Sequence, residues 1–239
     1  MDVYEALYTT RMMRRMKPHP IPLESQCRIL DAAIRAPSGG NAQRWHFLVV
    51  DAPALKARIA QLYRAAREQE YSDIESGALG RALHEDGPRR AESLRRLKRS
   101  GDSFVDHFTD IPMLVFVFAV DDHGGANIYP AIWSSLLAAR AEGIGGVMTT
   151  ALRYEEEAVC ELLAVPREDG WRMSAMLAFG YPRGRWGVAV DRRPVQDVSS
   201  RNRWGDRFGA EVLKPLWPPD GAGAIRFVPA QPTRNEPAP

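Results

Sequence analysis

The 239-residue sequence predicts a domain that mixes helices and strands. Three largely apolar runs are typical of buried strands, namely residues 47–50, 111–120 and 171–182. Segments with apolar residues at helical spacing alternate with these runs, among them residues 23–35, 52–67 and 129–142. A chain of this length with this alternation favours one domain of mixed α and β structure, with or without an excursion.

The composition excludes several classes of protein. Apolar residues make up 45% of the chain, which is enough for a core, and no apolar run approaches the roughly 18 residues of a membrane span. The net charge of +2 gives no case for a nucleic-acid partner. Cys27 and Cys160 lack metal-site spacing and lie among apolar neighbours, so we expect buried free thiols and a cytoplasmic location.

The chain opens with a short helical pattern over residues 2–9, followed by a basic segment. Arg11, Arg14, Arg15 and Lys17 lie within seven residues and precede three prolines, which makes a helix interior unfavourable. Guanidinium groups on a loop or helix end can bind a phosphate in a forked geometry. A solvated basic surface is the alternative interpretation.

The next segment of interest joins the helix of residues 23–35 to the strand of residues 47–50. It contains Pro37, Ser38, Gly39, Asn41 and Gln43, a composition that lets the backbone approach a bulky group closely. The two amide side chains each offer a donor and an acceptor, which suits the edge of a ring with alternating N–H and C=O groups. A turn with no ligand fits the composition as well.

Residues 64–110 form a charged excursion in which apolar residues are scattered. We expect exposed helices and loops here rather than a core layer. Tyr71, Phe104 and Phe108 are its candidate pocket residues.

Two short motifs follow the strand of residues 111–120. Asp121, Asp122 and His123 do not predict a metal site, because adjacent side chains point in different directions. The glycine-rich segment 143–150 lacks the preceding strand of a dinucleotide fingerprint. Its end, Met148, Thr149 and Thr150, either offers backbone and hydroxyl groups to a ligand or simply closes a strand.

The C-terminal part holds a strand that ends in Phe179-Gly180-Tyr181-Pro182 and a basic segment with Arg192, Arg193 and Pro194. The tail from Ser199 is too apolar for a linker and too rich in proline and glycine for a helix. We expect its last ten or so residues to be disordered.

Taken in order, five landmarks resemble the FMN-dependent nitroreductase family. They are the basic opening, the Pro-Ser-x-x-Asn-x-Gln-x-Trp-x-Phe loop, the alanine-rich helix with a glycine exit, the Gly-Tyr-Pro strand end and the basic-Pro close. Together they span residues 10–198. The chain departs from the family pattern at Thr10, where an arginine is frequent, and at Met12, which replaces a small hydroxyl residue.

The resemblance implies an α+β fold in which helices flank a mixed, mainly antiparallel sheet. It also implies an intertwined homodimer with two FMN sites at its interface. Residues 1–198 would form the FMN-binding domain, the variable excursion at about 64–110 would lie over the active site, and residues 199–239 would pack on the partner subunit. The cofactor contacts that it implies are Arg11, Met12, Met13, Arg14, Arg15, Pro37, Ser38, Gly39, Asn41, Gln43, Met148, Thr149, Thr150, Arg192 and Arg193.

The activity that the resemblance implies is hydride transfer from NAD(P)H to flavin N5, then reduction of an electron-poor small molecule in a ping-pong cycle. No catalytic side chain is expected, and His46 and His107 are assigned structural roles. Reductive dehalogenases and flavin-destroying enzymes share the fold and stay open as alternatives. So does a carrier or sensor that binds FMN without turnover. A nucleic-acid role for residues 11–17 and 95–99 predicts a strongly salt-dependent affinity for DNA.

Overall fold

The computed structural model describes residues 1–76, 88–187, 192–217 and 225–228. The helices of this part are α1 (Val3–Thr9), α2 (Leu23–Ala33), α3 (Pro53–Ser76), α4 (Pro88–Asp106), α5 (Ile128–Ala141) and α6 (Glu156–Leu162). The strands are β1 (Met16–Lys17), β2 (Trp45–Val50), β3 (Met113–Ala119), β4 (Gly145–Thr149), β5 (Arg172–Pro182), β6 (Ala210–Val212) and β7 (Ile225–Phe227).

Five strands form the main sheet in the order β1-β5-β3-β2, and β4 also pairs with β5. Every pairing among the described strands is antiparallel. Strand β3 lies between two neighbours and all seven of its residues are buried, which explains its continuous apolar run. The expected α+β fold with a mainly antiparallel sheet is confirmed.

Alternate residues of β3 face the two sides of the sheet. Leu114, Phe116 and Phe118 join one cluster with residues of α3, α4 and α6. Their neighbours along the strand join a second cluster with residues of α2 and α5. The sheet is therefore the middle layer between two layers of helices.

The excursion contributes to the core, contrary to expectation. Helix α3 continues to Ser76, nine residues beyond the predicted end, and Ile74 on its last turns is buried. Phe104 and Phe108 of the excursion are 2% and 1% exposed and pack with Tyr63 and with each other at ring-centroid distances of 5.1 to 5.8 Å. The two phenylalanines are four residues apart and therefore lie on one face where a helix ends. Because charged residues surround them in the sequence, this apolar pair is not evident as part of the core.

The chain divides into two compact units. Residues 11–186 form one unit, and residues 1–10 with 187–239 form the other. The second unit contains the β6–β7 pair and a contact between the rings of Tyr8 and Trp217, 6.0 Å between centroids. The expected boundary after residue 198 stays a prediction, and residues 229–239, expected to be disordered, lie outside the described part.

Two expectations about the surface can be compared with the structure. Cys160 is buried as expected, but Cys27 is exposed, because it lies on the outer face of α2. Within the described ranges, none of the helices is both long enough and apolar enough to cross a membrane.

Candidate functional site

The basic opening segment lies along strands β4 and β5 and is held through its backbone. The Met13 amide donates to the Gly146 carbonyl oxygen over 2.9 Å, and the Arg183 amide donates to the Arg15 carbonyl oxygen over 2.9 Å. Met13 and Met16 are buried, whereas Arg11 and Arg15 are exposed. Anchoring the backbone in this way leaves the Arg15 side chain available to a ligand, whereas the Arg11 side chain donates to the Arg185 carbonyl oxygen over 2.5 Å.

Two glycines let this segment approach the sheet. Gly145 and Gly180 are partners across β4 and β5. A β-carbon on Gly145 would lie 3.0 Å from Met13 Cβ, and one on Gly180 would lie 2.9 Å from Met16 Cβ. A side chain at either position would therefore push the segment away from the sheet.

Met12 and Met148 meet where the opening segment passes β4. The Met148 amide lies 3.4 Å from Met12 Sδ, which accepts a weak hydrogen bond from it. Met12 is half-buried and packs against both hydrophobic clusters. At this position the chain therefore has a thioether in contact with the end of β4.

Arg14 is the half-buried arginine of the opening segment. Burial lowers the pKa of its guanidinium, and the positive charge of Arg67 on α3 lowers that pKa further. Tyr63, Tyr71 and Glu70 of the same helix act in the opposite direction and raise the pKa of Arg14. A partly desolvated cation attracts an anion more strongly than one in open water does.

Arg67 was not predicted from the sequence, although its spacing carried a signal. It follows Tyr63 by four residues and precedes Tyr71 by four, so it lies on the buried stripe of α3. It is 7% exposed, pairs with Glu70 and donates to the Tyr71 hydroxyl. Burial by itself lowers the pKa of Arg67, but the Glu70 carboxylate and the phenols of Tyr63 and Tyr71 together outweigh burial, so the pKa is raised.

Tyr63 links the same helix to the end of β4. Its hydroxyl lies 3.4 Å from the Thr149 hydroxyl, which also accepts from the Ala151 amide over 3.3 Å. Burial raises the pKa of Tyr63, so the phenol stays protonated near neutral pH. Thr149 and Thr150 are half-buried, so both remain partly accessible at this end of the strand.

The loop of residues 37–43 is exposed and holds its shape through internal hydrogen bonds. The Gln43 amide donates to Ser38 Oγ over 2.9 Å, and Gln43 Nε2 donates to Asn41 Oδ1 over 3.0 Å. Asn41 and Gln43 have φ angles of 53° and 49°, in the left-handed region that asparagine tolerates better than most residues. The bond between the two amides leaves Asn41 Nδ2 as a donor beside Gln43 Oε1 as an acceptor.

Asn127 and Asp122 connect this loop to α5. Asn127 Oδ1 accepts from the Gly39 amide over 2.7 Å, while Asp122 accepts from Asn127 and from the Ile128 amide. Asp122 thus caps a helix, and Asp121 pairs with Arg44. Among the described residues, no group of three or more His, Cys, Asp or Glu side chains is placed to hold a metal ion.

The structure brings Met12, Arg14, Met148 and Thr149 together but places the loop elsewhere. The loop leads into β2, and β3 and β5 lie between β2 and β4 in the sheet. Three strand spacings separate β2 from β4, which amounts to about 14 Å. Within one copy of the chain, the two halves of the predicted site therefore lie apart.

Arg192 and Arg193 belong to the second compact unit. Both side chains are exposed, and Arg193 Nη2 donates to the Asp197 carbonyl oxygen over 2.8 Å. Their assignment as phosphate contacts stays a prediction.

The three candidate substrate residues differ in their surroundings. Tyr71 is half-buried and lines a groove of about 490 Å³ between α3 and α4, together with Arg64, Lys98 and Asp102. Phe104 and Phe108 are core residues, as described above, so their assignment to the pocket is wrong. Packing against Tyr63 takes their rings away from solvent.

Comparison with characterised proteins gives relatives over most of the chain. Iodotyrosine deiodinase of Thermotoga neapolitana is 28% identical over 182 residues, which covers 75% of this chain and 88% of the relative. The 5,6-dimethylbenzimidazole synthase of Rhodospirillum rubrum is 30% identical over 222 residues, which covers 89% and 94% respectively.

Solved structures share the fold. Oxidized iodotyrosine deiodinase bound to FMN and 3-iodo-L-tyrosine superposes with a TM-score of 0.65 and 24% identity over 80% of this chain and 96% of that one. The FMN-dependent nitroreductase NfnB of Mycobacterium smegmatis, in complex with NADPH, gives 0.60 and 20% over 84% and 97%. A model of the nitroreductase family matches residues 7–181. The match extends over well more than half of the chain, which therefore belongs to the nitroreductase family.

Proposed function

We propose that this protein is an FMN-dependent oxidoreductase that takes hydride from NAD(P)H and reduces an electron-poor small molecule. The acceptor is of the nitroaromatic, quinone or enone type, and the two half-reactions follow each other at one site in a ping-pong cycle. The observation that carries the proposal is the convergence of Arg14, Met12 and the end of β4 in a chain of the nitroreductase family.

The groups at this convergence fit FMN. Arg11, Arg14 and Arg15 supply the cations that a phosphate requires. Thr149 supplies a hydroxyl group, and the strand end beside it supplies backbone groups. The buried Nε of Arg67, close to Arg14, has no hydrogen-bond acceptor among the described residues, and a bound polar group could satisfy it.

FMN, when bound, supplies the chemistry by accepting hydride and passing it on. The chain itself has to bind the cofactor, orient it and shield it from solvent. The opening arginines neutralise the phosphate, and the hydroxyl groups of Thr149 and Tyr63 stay protonated and can donate at the end of β4. The Asn41–Gln43 pair offers a donor beside an acceptor to a ring edge.

We further propose that two copies of the chain complete each site. The support is the distance of about 14 Å between β4 and β2, together with the exposure of the loop of residues 37–43. We call the group of Arg14, Met12 and the end of β4 the arginine side of the site. The exposed loop of one copy can contact the arginine side of another copy. Homodimers with a two-fold axis are the commonest assembly of this kind.

A specialised reaction on the same site is the second candidate. It is favoured by the 30% identity to a 5,6-dimethylbenzimidazole synthase and the 28% identity to an iodotyrosine deiodinase. A carrier or sensor that binds FMN without turnover is the third. We also propose a cytoplasmic location, with which the two free thiols, Cys27 and Cys160, are compatible.

The deciding experiment is a visible spectrum of the purified protein with added FMN, followed by anaerobic NADPH and then NADH. We expect a flavin spectrum that bleaches with one of the two donors and recovers with a nitroaromatic or a quinone. Bound flavin that neither donor bleaches would favour a specialised enzyme or a carrier. With chemically reduced protein, iodide release from iodotyrosine or formation of 5,6-dimethylbenzimidazole under oxygen would indicate a specialised enzyme. Reoxidation of the flavin without either product would favour a carrier. A protein that binds no FMN would exclude the proposal.

A further inference from the structure

We infer that Asp122 and Asn127 are positioning residues that set the place of the loop of residues 37–43 and thereby its contribution to FMN affinity. The consequence for FMN rests on the proposed function. The positioning itself rests on four hydrogen bonds that join the turn after β3, the first residues of α5 and the loop.

The anchor of this arrangement is the first turn of α5. Asp122 Oδ1 accepts from the backbone and side-chain nitrogens of Asn127, each over 3.0 Å, and its Oδ2 accepts from the Ile128 amide over 2.9 Å. Ile128 is 1% exposed, and Ala131 one turn later is fully buried. A carboxylate at the N-terminus of a packed helix is a fixed anchoring point, because it accepts hydrogen bonds from free backbone amides and complements the helix dipole.

The carboxylate also decides which way the Asn127 amide points. Its Nδ2 faces Asp122, so its Oδ1 faces the Gly39 amide at 2.7 Å. The reverse orientation would set the amide oxygen against the carboxylate and the amide N–H against the Gly39 N–H, so both ends of the Asn127 side chain and the Gly39 amide would lack a partner. Asn127 is therefore fixed as an acceptor toward the loop.

The bond to Gly39 lies at the start of the segment that carries the ligand-facing groups. The short turn Gly39–Asn41 follows directly, and the Ala42 amide donates back to the Gly39 carbonyl oxygen over 3.1 Å. The exposed Asn41–Gln43 pair thus directly follows Gly39, which is hydrogen-bonded to Asn127 at the start of α5. An exposed loop held at one such point loses less conformational entropy when a ligand binds.

The test uses the full-length protein in four forms, with two measurements on each. Asn127→Ala removes the acceptor for Gly39 but leaves the bonds from Asp122 to the backbone of α5 intact. Asp122→Asn weakens the whole arrangement. In the double variant Asp122→Asn/Asn127→Asp the amide and the carboxylate exchange places, so the two side chains can bond again and an oxygen still faces Gly39. Asp169→Asn is the matched control, since Asp169 is exposed and lies in the turn between α6 and β5, outside the arrangement that holds the loop.

The first measurement is amide hydrogen exchange of peptides that cover residues 36–44, without FMN. We expect faster exchange for Asn127→Ala and Asp122→Asn, and the wild-type rate for the control. The second is the Kd for FMN. A rise of about tenfold is expected for Asn127→Ala, as for the loss of one well-formed interaction, with partial recovery in the double variant.

The melting temperature of the FMN-free variants shows whether an effect is merely structural. A general loss of stability would lower it and would not be reversed by the exchange of side chains. Wild-type exchange in the loop for Asn127→Ala overturns the positioning role, whatever the Kd. Faster exchange with an unchanged Kd overturns the link to FMN. A wild-type protein that binds no FMN overturns the proposed function, while the exchange rates still decide the positioning.

Discussion

Arg14 and Arg15 are adjacent and chemically identical, yet their surroundings differ. Arg14 is half-buried beside α3, and Arg15 is exposed, with only its backbone engaged by Arg183. The sequence predicted a basic cluster but could not distinguish its members. Which arginine turns inward depends on the position of the segment beside α3, a tertiary arrangement that no local pattern contains.

The first prediction separates the two arginines. We expect Arg14→Ala to raise the Kd for FMN by about ten- to a hundredfold, because a partly desolvated cation is worth about 1.5–3 kcal/mol to an anion. Arg15→Ala, the matched control, should raise it by less than about threefold. Fluorescence quenching of FMN during titration of the FMN-free protein measures both. Equal losses in the two variants would mean that burial does not select the phosphate contact.

A second prediction concerns Tyr154, whose hydroxyl donates to Asp73 Oδ2 over 2.7 Å. This hydrogen bond to a carboxylate raises the pKa of Tyr154 to about 12, compared with about 10 in an unfolded chain. Because the folded form holds the proton more tightly, the bond stabilises the protein fully below pH 10. That contribution is lost as the pH rises toward 12.

Melting temperatures of wild type and Tyr154→Phe between pH 8 and pH 12 test this. The wild type should melt higher at pH 8, and the difference should shrink steadily above pH 10. Tyr4→Phe is the control, since Tyr4 is 62% exposed. A difference between wild type and Tyr154→Phe that does not change with pH would contradict the role of the phenol proton.

Among the elements, α3 and α4 depart most from what the sequence predicts. Charged residues dominate the segment from Arg64 onward, so apolar periodicity no longer indicates which side of α3 is buried, and only the spacing of Tyr63, Arg67 and Tyr71 gives a sign of it. Tertiary contacts decide it instead. Tyr63 packs on Phe104 and Phe108, and Arg67 is buried with Glu70 as its ion-pair partner.

The third prediction tests this packing. Phe108 is 1% exposed, and Phe108→Ala should lower the free energy of unfolding by about 3–5 kcal/mol, because it removes a buried ring and leaves a cavity. Phe108→Leu removes fewer atoms and should cost clearly less. Urea unfolding with an unchanged m-value measures both. If both variants were as stable as wild type and had an altered KM for the electron acceptor, Phe108 would be a residue of the substrate pocket and not of the core.

The strands show where sequence patterns succeed and where they fail. Strand β3 was predicted because its residues form a continuous apolar run, and in the structure all seven of them are buried. Strands β1, β6 and β7 contain two or three residues each, too few for any alternation to be visible. Strand β1 exists because Gly180 lets Met16 lie close to β5, a contact between residues far apart in sequence.

At the scale of the whole molecule, the sheet order separates groups that the family resemblance assigns to one cofactor. The arginine side lies at β1 and β4, and the loop lies at the start of β2, beyond β5 and β3. Sequence order contains no such distance. The separation makes sense if each FMN takes its arginine side from one copy of the chain and its loop from another.

The last prediction follows from this arrangement. Arg14→Ala damages the arginine side, and Asn41→Ala/Gln43→Ala damages the loop, so each variant alone should have little activity. When the two are unfolded together and refolded as mixed dimers, one site in each mixed dimer carries both lesions and the other carries none. Random pairing then restores about a quarter of all sites, measured as FMN-dependent oxidation of NAD(P)H.

The matched control combines two lesions on the same side, Arg14→Ala with Thr149→Val. Every site in that mixed dimer carries one lesion, so no activity should return. Recovery in the first mixture alone places the loop and the arginines of one site on different copies. Mixed dimers without recovery would place both on one copy, and the loop would then have to cross the face of β3 and β5 to reach the cofactor.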